Sequence, residues 1–283
     1  MSNDALWTRS TVEHDGLTFD VRLAGPDDGV PVVLLHGFPQ SSLSWTATAR
    51  TLLADGPGLR LVAPDQRGYS PGARPDDVAA YATGTLAEDA VAIAAALGHE
   101  TFHLVGHDWG AAVAWVLAAR HPDAVRSLTA LSIPHLVGYN AALRSDPEQQ
   151  RRSSYIGLFR ERGHAEEVLM AEDARRLRAM YEGAVPDEDV EQYVALLREG
   201  GITPALDWYR AMGADLGRLP AVAAPTTYVW GEDDLAVAPA AAEACGDSVS
   251  GAYRFVRLPG EGHWLPDAVP GVVADEIRAR VPG

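Results

Sequence analysis

The segment around Asp108 constrains the fold more strongly than any other part of this 283-residue chain. A short, mostly apolar run over 102–105 leads into a Gly-His-Asp-Trp-Gly motif over 106–110, and an alanine-rich stretch follows. The pattern Gly-x-Asp-x-Gly is similar to the Gly-x-Ser-x-Gly turn that lifts a nucleophilic side chain above the end of a strand. We therefore predict a buried strand that turns sharply into a helix, with Asp108 at the tip of the turn.

An aspartate at this turn predicts a chemistry that differs from that of serine. Serine with a histidine base suits acyl transfer, whereas a carboxylate attacks carbon by displacement and leaves an alkyl ester on the enzyme. Epoxides and carbon–halogen bonds are the natural electrophiles for such a nucleophile. The residue type at this position therefore indicates covalent catalysis through Asp108.

Apolar runs alternate with helical patterns on both sides of one long interruption in the sequence. Besides the run before Asp108, strands are predicted over 17–24, 31–36, 60–64, 125–132, 225–230 and 252–258. Helices are predicted over 42–54, 85–97, 110–120, 165–180, 187–199, 238–244 and 269–281. Most of these strands lack polar alternation and are separated by helices, which indicates an α/β fold with a parallel sheet covered on both faces.

The strand signals stop near Pro134 and resume after Pro220, and the segment between them has only helical patterns. An insertion at this point, after the sixth strand, lies at the carboxyl edge of the sheet, where open α/β folds bind ligands. We therefore expect residues 1–133 and 221–283 to form the core. Residues 134–220 are expected to form a helical cap that is placed to act as a lid.

The amino-acid composition indicates which kinds of partner the protein does not bind. The chain has 39 acidic and 23 basic residues, and its formal net charge of -16 argues against nucleic acid and anionic membrane surfaces as partners. No stretch approaches the roughly 20 apolar residues of a membrane span, and the first residues lack a basic region followed by an apolar one. With Cys245 as the single cysteine, no internal disulfide can form. We expect a soluble cytoplasmic enzyme, either a monomer or a homodimer.

From about Leu17 to Val281 the chain resembles the epoxide hydrolase branch of the α/β-hydrolases. The motifs that carry the resemblance lie over 36–39 (His-Gly-Phe-Pro), 65–70 (Asp-Gln-Arg-Gly-Tyr-Ser), 106–110 (Gly-His-Asp-Trp-Gly), 230–234 (Trp-Gly-Glu-Asp-Asp) and 262–264 (Gly-His-Trp). The resemblance implies an α/β-hydrolase fold, with a mostly parallel, doubly wound sheet and an inserted helical cap. It also implies a reaction of a small-molecule epoxide with water that needs no cofactor.

The catalytic roles implied by the resemblance fall on Asp108, Asp234 and His263, which follow one another in the order that this fold uses. Water must be deprotonated to cleave an ester on Asp108, and histidine, with a pKa near about 6.5, suits that task. A carboxylate should hold the imidazole in the correct tautomer. The sequence alone leaves Asp233 open for this role, whereas the family pattern Trp-Gly-x-x-Asp selects Asp234. The other histidines show no metal-ligand pattern, so no metal is expected.

The oxyanion that forms when water attacks the ester needs donors that are fixed in advance. By resemblance, these donors are the backbone amides of Phe38 and Trp109. The family often has a cis bond before the proline that corresponds to Pro39, which would aim the preceding amide inward.

Opening of an epoxide releases an alkoxide, so a proton donor should lie opposite the nucleophile. Tyrosine, with a pKa near about 10, is protonated at neutral pH and suits this role. By resemblance to the two lid tyrosines of epoxide hydrolases, we assign it to Tyr155 and Tyr209. The alternative is that these two side chains only pack the lid onto the core. The residues expected to bind a largely hydrophobic substrate are Phe38, Trp109, Leu136, Val137, Leu158, Trp208 and Met212.

Dehalogenases with an aspartate nucleophile are the nearest alternative. Haloalkane dehalogenases share the tryptophan after the nucleophile, but the Asn that holds the halide in many of them corresponds to Phe38, which has no polar hydrogen on its side chain. Fluoroacetate dehalogenases, which act on a haloacid, usually carry arginine where this chain has Trp109. Trp208 or another lid donor could compensate, so this alternative stays open. A receptor that uses the cavity without turnover is disfavoured because all three catalytic residues are present.

Overall fold

An eight-stranded sheet forms the centre of the protein, whose computed structural model describes residues 6–54, 58–213 and 217–281. The strands are β1 (Thr8–His14), β2 (Leu17–Ala24), β3 (Val30–Leu35), β4 (Leu59–Pro64), β5 (Phe102–His107), β6 (Val125–Leu131), β7 (Thr226–Gly231) and β8 (Tyr253–Leu258). Their order across the sheet is β1-β2-β4-β3-β5-β6-β7-β8, and β2 runs antiparallel to both of its neighbours. The remaining pairs are parallel, which confirms the predicted mostly parallel sheet.

Helices cover both faces of this sheet. The α-helices of the described residues are α1 (Thr46–Ala54), α2 (Thr83–Ala96), α3 (Trp109–Arg120), α4 (Leu136–Ser145), α5 (Pro147–Arg152), α6 (Tyr155–Phe159), α7 (His164–Ala179), α8 (Asp187–Leu196), α9 (Ile202–Arg210), α10 (Pro239–Glu243), α11 (Leu265–Ala268) and α12 (Pro270–Arg278). Because successive side chains of a strand point to opposite faces, Val33 and Leu35 of β3 join one core with α2 and α3. Val32 and Leu34 join a second core with α1 and α12. The predicted coverage of both faces is confirmed.

The segment between β6 and β7 contains α4 to α9, and we call residues 136–210 the helical insertion. Its helix α7 is not continuous, because Glu172, Asp173 and Ala174 have left-handed φ angles of 50°, 59° and 59°. Non-glycine residues adopt this conformation at a cost of about 1–2 kcal/mol each. Arg198, which follows α8, forms an ion pair with Asp173. A contact from outside α7 therefore helps to hold a turn that its own sequence does not indicate.

Hydrogen bonds fasten the helical insertion to loops that follow the strands. The indole N–H of Trp208 in α9 donates to the carbonyl oxygen of Arg67, after β4, at 2.9 Å. The indole N–H of Trp264, after β8, donates to the carbonyl oxygen of Met180, after α7, at 3.0 Å. Both loops lie at the carboxyl edge of the parallel strands, so the insertion covers that edge of the sheet.

The edge strand β1 is not predicted from the sequence. Val12 is the one buried residue among its seven, and most of the others are exposed. Because an edge strand that faces solvent carries few apolar residues, hydrophobic patterning does not reveal it.

The ranges predicted for the core and the cap include residues 1–5, 55–57, 214–216 and 282–283, which lie outside the described residues. Among the residues that are described, no helix combines the length and the apolar character needed to cross a membrane.

Candidate active site

Asp108 lies at the sharp turn between β5 and α3. Its φ of 52° and ψ of -122° form a conformation that side chains rarely adopt. A Cβ atom on Gly106 would lie 2.3 Å from the carbonyl oxygen of Gly110, and one on Gly110 would lie 2.0 Å from that of Leu35. The two glycines are therefore required for the close approach of the strand and the helix, and the predicted turn is confirmed.

The backbone amide of Phe38 points at Asp108 and donates to its Oδ1 atom at 2.9 Å. Phe38 lies in the loop after β3, and its peptide bond to Pro39 is cis. Trp109 is the first residue of α3, so its amide is one of the helix donors that have no intrahelical acceptor. Both amides that were predicted to hold an oxyanion therefore adjoin Asp108.

His263 lies between two carboxylates. Its Nε2 atom is 3.5 Å from Asp108 Oδ2, and its Nδ1 atom is 3.0 Å from Asp234 Oδ1. All three side chains are buried, and Nε2 of His107 forms a 2.8 Å hydrogen bond with the backbone carbonyl of His263. Because Asp233 is exposed, the structure brings Asp234, and not Asp233, to the histidine.

The loop that carries Asp234 is fixed by backbone amides and by helix α5. Asp234 Oδ1 accepts hydrogen bonds from the amides of Ala236 at 2.8 Å and Val237 at 3.2 Å. From α5, the side chain of Gln149 donates to the carbonyl of Ala236 and accepts from the amide of Ala238, both at 2.8 Å. The helical insertion therefore helps to position the acid.

Charges on both sides of the imidazole change its proton affinity. Burial alone would lower the pKa of His263, but the charge of Asp234 and the hydrogen bond and charge of Asp108 outweigh it and raise the pKa to about 10. Burial alone would raise the pKa of Asp234, but the charge of His263 and hydrogen bonds to the carboxylate outweigh it and lower that pKa. At neutral pH His263 is therefore protonated, with Asp234 beside its Nδ1 atom and Asp108 beside its Nε2 atom.

A further polar side chain, not predicted from the sequence, lies beside the histidine. Ser132 follows β6, and its Oγ atom is 2.9 Å from His263 Nδ1. The residue is buried and has a left-handed φ of 68°. The signal that could have identified it is a polar residue directly after a strand, at the edge of the sheet where ligands bind.

Tyr155 of α6 and Tyr209 of α9 come together in the cavities that contain Asp108. Their ring centroids are 6.1 Å apart, and the ring of Tyr209 packs edge-on against Trp109 at 5.1 Å. Burial raises the pKa of both tyrosines well above the ordinary value, so both hydroxyls are protonated at neutral pH. The helical insertion therefore brings two protonated tyrosines to the cavities that Asp108 lines.

Two cavities share Asp108, Tyr155 and Tyr209. The first, of about 460 Å³, we call the apolar arm, and its other lining residues include Trp109, Ile133, Leu136, Tyr139, Ile156 and Met212. The second, of about 680 Å³, we call the histidine arm, and its other lining residues include Phe38, Phe159, Leu169, Arg176, Met180 and His263. Around these arms, and elsewhere in residues 6–54, 58–213 and 217–281, no group of three or more His, Cys, Asp or Glu side chains is placed to hold a metal ion.

The residues predicted to bind substrate divide into two groups. Those that line an arm are Phe38, Trp109, Leu136 and Met212. Those that the structure does not bring to either arm are Val137, Leu158 and Trp208. Trp208 is buried, with its indole N–H bonded to the carbonyl of Arg67. Because adjacent residues of a helix point about 100° apart, Tyr209 faces the cavities while Trp208 packs against the core.

Comparisons with known proteins agree with this architecture. The sequence model of the alpha/beta hydrolase fold family matches residues 30–267. The chain is 33% identical over 271 residues to an AB hydrolase superfamily protein of Bacillus subtilis, with 93% of each chain covered. It is 31% identical over 312 residues to epoxide hydrolase A of Mycobacterium tuberculosis, with 94% of each covered. A solved structure from a study of epoxide hydrolases in metagenomes from hot environments superposes with a TM-score of 0.84 at 30% identity, covering 98% of both chains. The predicted fold is confirmed, and the chain belongs to the α/β-hydrolase fold family as a relative of the epoxide hydrolases.

Proposed function

We propose that the protein is an epoxide hydrolase that converts a largely hydrophobic epoxide to a vicinal diol. One observation carries the proposal: Asp108, Tyr155 and Tyr209 line the same two cavities. Ring opening needs a nucleophile at carbon and a proton donor at oxygen, and these groups can supply both. The relatives that are named epoxide hydrolases give independent support.

In the first half-reaction, one oxygen of Asp108 attacks an epoxide carbon and the carbon–oxygen bond of the ring breaks. Asp108 Oδ1 accepts from the Phe38 amide, and we assign the attack to Oδ2, the oxygen that lies 3.5 Å from His263 Nε2. Tyr155 and Tyr209 hydrogen-bond the epoxide oxygen, and one of them protonates the alkoxide. The product is a hydroxyalkyl ester whose carbonyl oxygen is Oδ1, next to the amides that stabilise it later.

Alkylation prepares His263 for the second half-reaction. The charge of Asp108 contributes to the raised pKa of His263, and an ester carries no such charge. The pKa of His263 should therefore fall once the ester has formed, and the imidazolium should lose a proton. That proton compensates for the one that a tyrosine gives to the alkoxide, so the ester form contains a neutral imidazole that can act as a base.

In the second half-reaction, water attacks the carbonyl carbon of the Asp108 ester. His263 Nε2 takes the proton from this water, while Asp234 accepts the hydrogen bond of the protonated Nδ1 atom and stabilises the imidazolium. The oxyanion on Oδ1 is held by the amides of Phe38 and Trp109. When this intermediate collapses, the bond between the carbonyl carbon and the ester oxygen breaks. The second proton of the attacking water passes to the leaving alkoxide, which releases the diol and restores the Asp108 carboxylate beside the His263 imidazolium.

The helical insertion acts as the cap in this proposal. We assign the core, which carries the nucleophile, the acid and the base, to the described parts of residues 1–133 and 221–283, and the cap, which carries Tyr155 and Tyr209, to the described part of residues 134–220. The two tyrosines come from separate helices, α6 and α9, so the packing of the cap sets the position of the proton donors over Asp108.

A dehalogenase has less support. The side chain of Phe38 has no polar hydrogen for a halide, and the indole N–H of Trp208 is bonded to the carbonyl of Arg67. Trp109 is the remaining candidate for a halide donor among the residues predicted for this role. Two protonated tyrosines in the cavities of Asp108 suit the opening of an epoxide better, because its oxygen needs a proton donor.

The test is intact-protein mass spectrometry of His263→Gln after exposure to an aryl epoxide and, separately, to a haloalkane. We expect an adduct with the whole mass of the epoxide on Asp108, and none from the haloalkane. The double variant Asp108→Asn, His263→Gln is the control and should stay unmodified. An alkyl adduct from the haloalkane alone would establish a dehalogenase, and no adduct from either reagent would favour a receptor.

A further inference from the structure

Ser132 occupies a strained and tightly held position at the end of β6. Its φ of 68° lies in the left-handed region, which non-glycine residues seldom adopt. Its amide donates to the carbonyl of Val229 at 2.9 Å, and its carbonyl accepts from the hydroxyl of Tyr228 at 2.6 Å. Both partners belong to β7, so the neighbouring strand holds the backbone of Ser132 and directs its side chain to the catalytic histidine.

The hydrogen-bond pattern around Ser132 follows from the charges of its neighbours. An ionised Asp234 can only accept, so the 3.0 Å contact between Asp234 Oδ1 and His263 Nδ1 requires a proton on Nδ1. The Ser132 hydroxyl therefore cannot donate to Nδ1 and faces it with a lone pair. Within the described residues, the buried Oδ2 atom of Asp234 has no partner unless the Ser132 hydroxyl turns toward it.

We propose that Ser132 is a positioning residue that donates to Asp234, accepts from His263 Nδ1–H, and so holds the imidazole in the tautomer whose Nε2 can take a proton. This proposal rests on the proposed function, because it assigns Ser132 to hydrolysis of the ester on Asp108. It does not involve Ser132 in ring opening, which uses Asp108 and the two tyrosines.

The two half-reactions separate this role from a merely structural one. Ser132→Gly removes the hydroxyl at a backbone conformation that glycine adopts readily, and Ser132→Ala removes it without relieving the strain. In single-turnover quenched-flow mass spectrometry with an aryl epoxide, both variants should form the ester within about twofold of the wild-type rate. Both should hydrolyse it about tenfold more slowly, as expected for the loss of a hydrogen bond to a charged group.

A matched control is available in the same strand. Ser127 is also buried, and its hydroxyl lies 2.7 Å from the Nδ1 atom of another buried histidine, His103. Because this pair is not part of the catalytic site, Ser127→Ala should leave both steps unchanged. A loss of ester hydrolysis in Ser127→Ala equal to that in Ser132→Ala would overturn the proposal.

The pH profile provides the second measurement. The titratable groups around His263 are Asp108, Asp234 and His107, and Tyr155, Arg176 and Tyr209 line the same cavity. Burial lowers the pKa of His107 to about 4, so His107 is neutral at neutral pH. Without the hydroxyl, the charge of Asp234 should hold the imidazolium more tightly. The acid limb of ester hydrolysis in Ser132→Gly should therefore move to higher pH by about half a unit or more, with no change in ring opening.

The outcomes distinguish this inference from the function on which it rests. Two results would overturn the role of Ser132 alone. In the first, Ser132→Gly hydrolyses the ester at the wild-type rate. In the second, Ser132→Gly slows ester formation and ester hydrolysis to the same extent and leaves the acid limb unmoved. Failure of the wild-type protein to form an ester with any epoxide would overturn the proposed function and this inference with it.

Discussion

The floor and the roof of the active site place their functional side chains through different kinds of contact. The floor consists of the strand ends that carry Asp108, Asp234 and His263, and backbone amides and tight turns fix its carboxylates. The roof is the helical insertion, in which the ring of Tyr209 packs against Phe38 at 5.4 Å and Phe159 at 5.0 Å. Hydrogen bonds weaken steeply with angle, whereas ring packing tolerates several arrangements. Changes in the floor should therefore stop a chemical step, and changes in the roof should alter rates by degrees.

The largest effect is expected from Asp108→Asn in the floor. Asn tolerates the left-handed φ of this position, so the turn should be kept while the nucleophile is lost. Diol formation should fall by at least about 10⁴-fold, the scale seen when a nucleophile is removed. The measurement is steady-state turnover, with peptide mass spectrometry to verify that the amide has not reverted to a carboxylate. Turnover within tenfold of the wild type would contradict the expectation that a change in the floor stops a chemical step.

Substitution of the two tyrosines in the roof should slow ring opening gradually. Tyr155→Phe or Tyr209→Phe alone should slow ring opening by about tenfold to a hundredfold, because the second hydroxyl remains, and the double variant should lose about 10³-fold or more. The rate of ester formation in a single turnover is the quantity to measure. Tyr193→Phe removes a buried hydroxyl of the insertion that does not line either arm and should leave the rate unchanged. A full loss in either single variant would contradict the graded behaviour.

The pH dependence of the two steps should differ. Burial keeps the pKa of Tyr155 and Tyr209 well above the ordinary value, so ring opening should be constant from about pH 6 to 9. Ester hydrolysis needs neutral His263, whose pKa is about 10 in the free enzyme and should fall on alkylation. Hydrolysis should therefore rise about tenfold per pH unit along an acid limb that ends below pH 10. An acid limb that ends at the pKa of His263 in the free enzyme would show that the charge of Asp108 does not raise this pKa.

A smaller effect is expected where the roof meets the floor. Gln149 of α5 is buried and bonds to the carbonyl of Ala236 and the amide of Ala238 in the acid loop. Gln149→Ala leaves these groups unpaired, so the free energy of unfolding in urea should fall by about 1–3 kcal/mol. The exposed neighbour Gln150 supplies the control, since Gln150→Ala should change stability by less than about 0.5 kcal/mol. Equal stability of the two variants would indicate that the roof and the floor are independent.

The same contrast explains how much of the fold and of the site could be predicted from the sequence. The floor depends on short motifs and on apolar runs, so seven of the eight strands and the turn at Asp108 follow from local patterns. The choice of Asp234 over Asp233 comes from the resemblance to a family and not from the local sequence. The predicted helix over 165–180 is interrupted by a left-handed turn, where Asp173 is contacted both by Arg178 of the same helix and by Arg198, which lies beyond α8. Hydrophobicity also could not show which of two adjacent aromatic residues, Trp208 and Tyr209, faces the cavities, because that depends on how α9 is rotated against the core.

The smallest effect is expected from a residue of the roof that lines the histidine arm. Arg176 of α7 is an exposed, positively charged lining residue there, whereas the charged lining residue of the apolar arm is Asp108, which both arms share. An exposed ion pair contributes at most about 1 kcal/mol, so Arg176→Gln should raise KM by at most about fivefold for an epoxide with a terminal carboxylate. It should not change KM for the methyl ester of the same epoxide. The neighbouring Arg175, which pairs with Glu172 at 2.9 Å, is the control. A rise in KM for both substrates would show that Arg176 acts through its packing in the roof and not through its charge. Only an electrostatic contact distinguishes the acid from its ester.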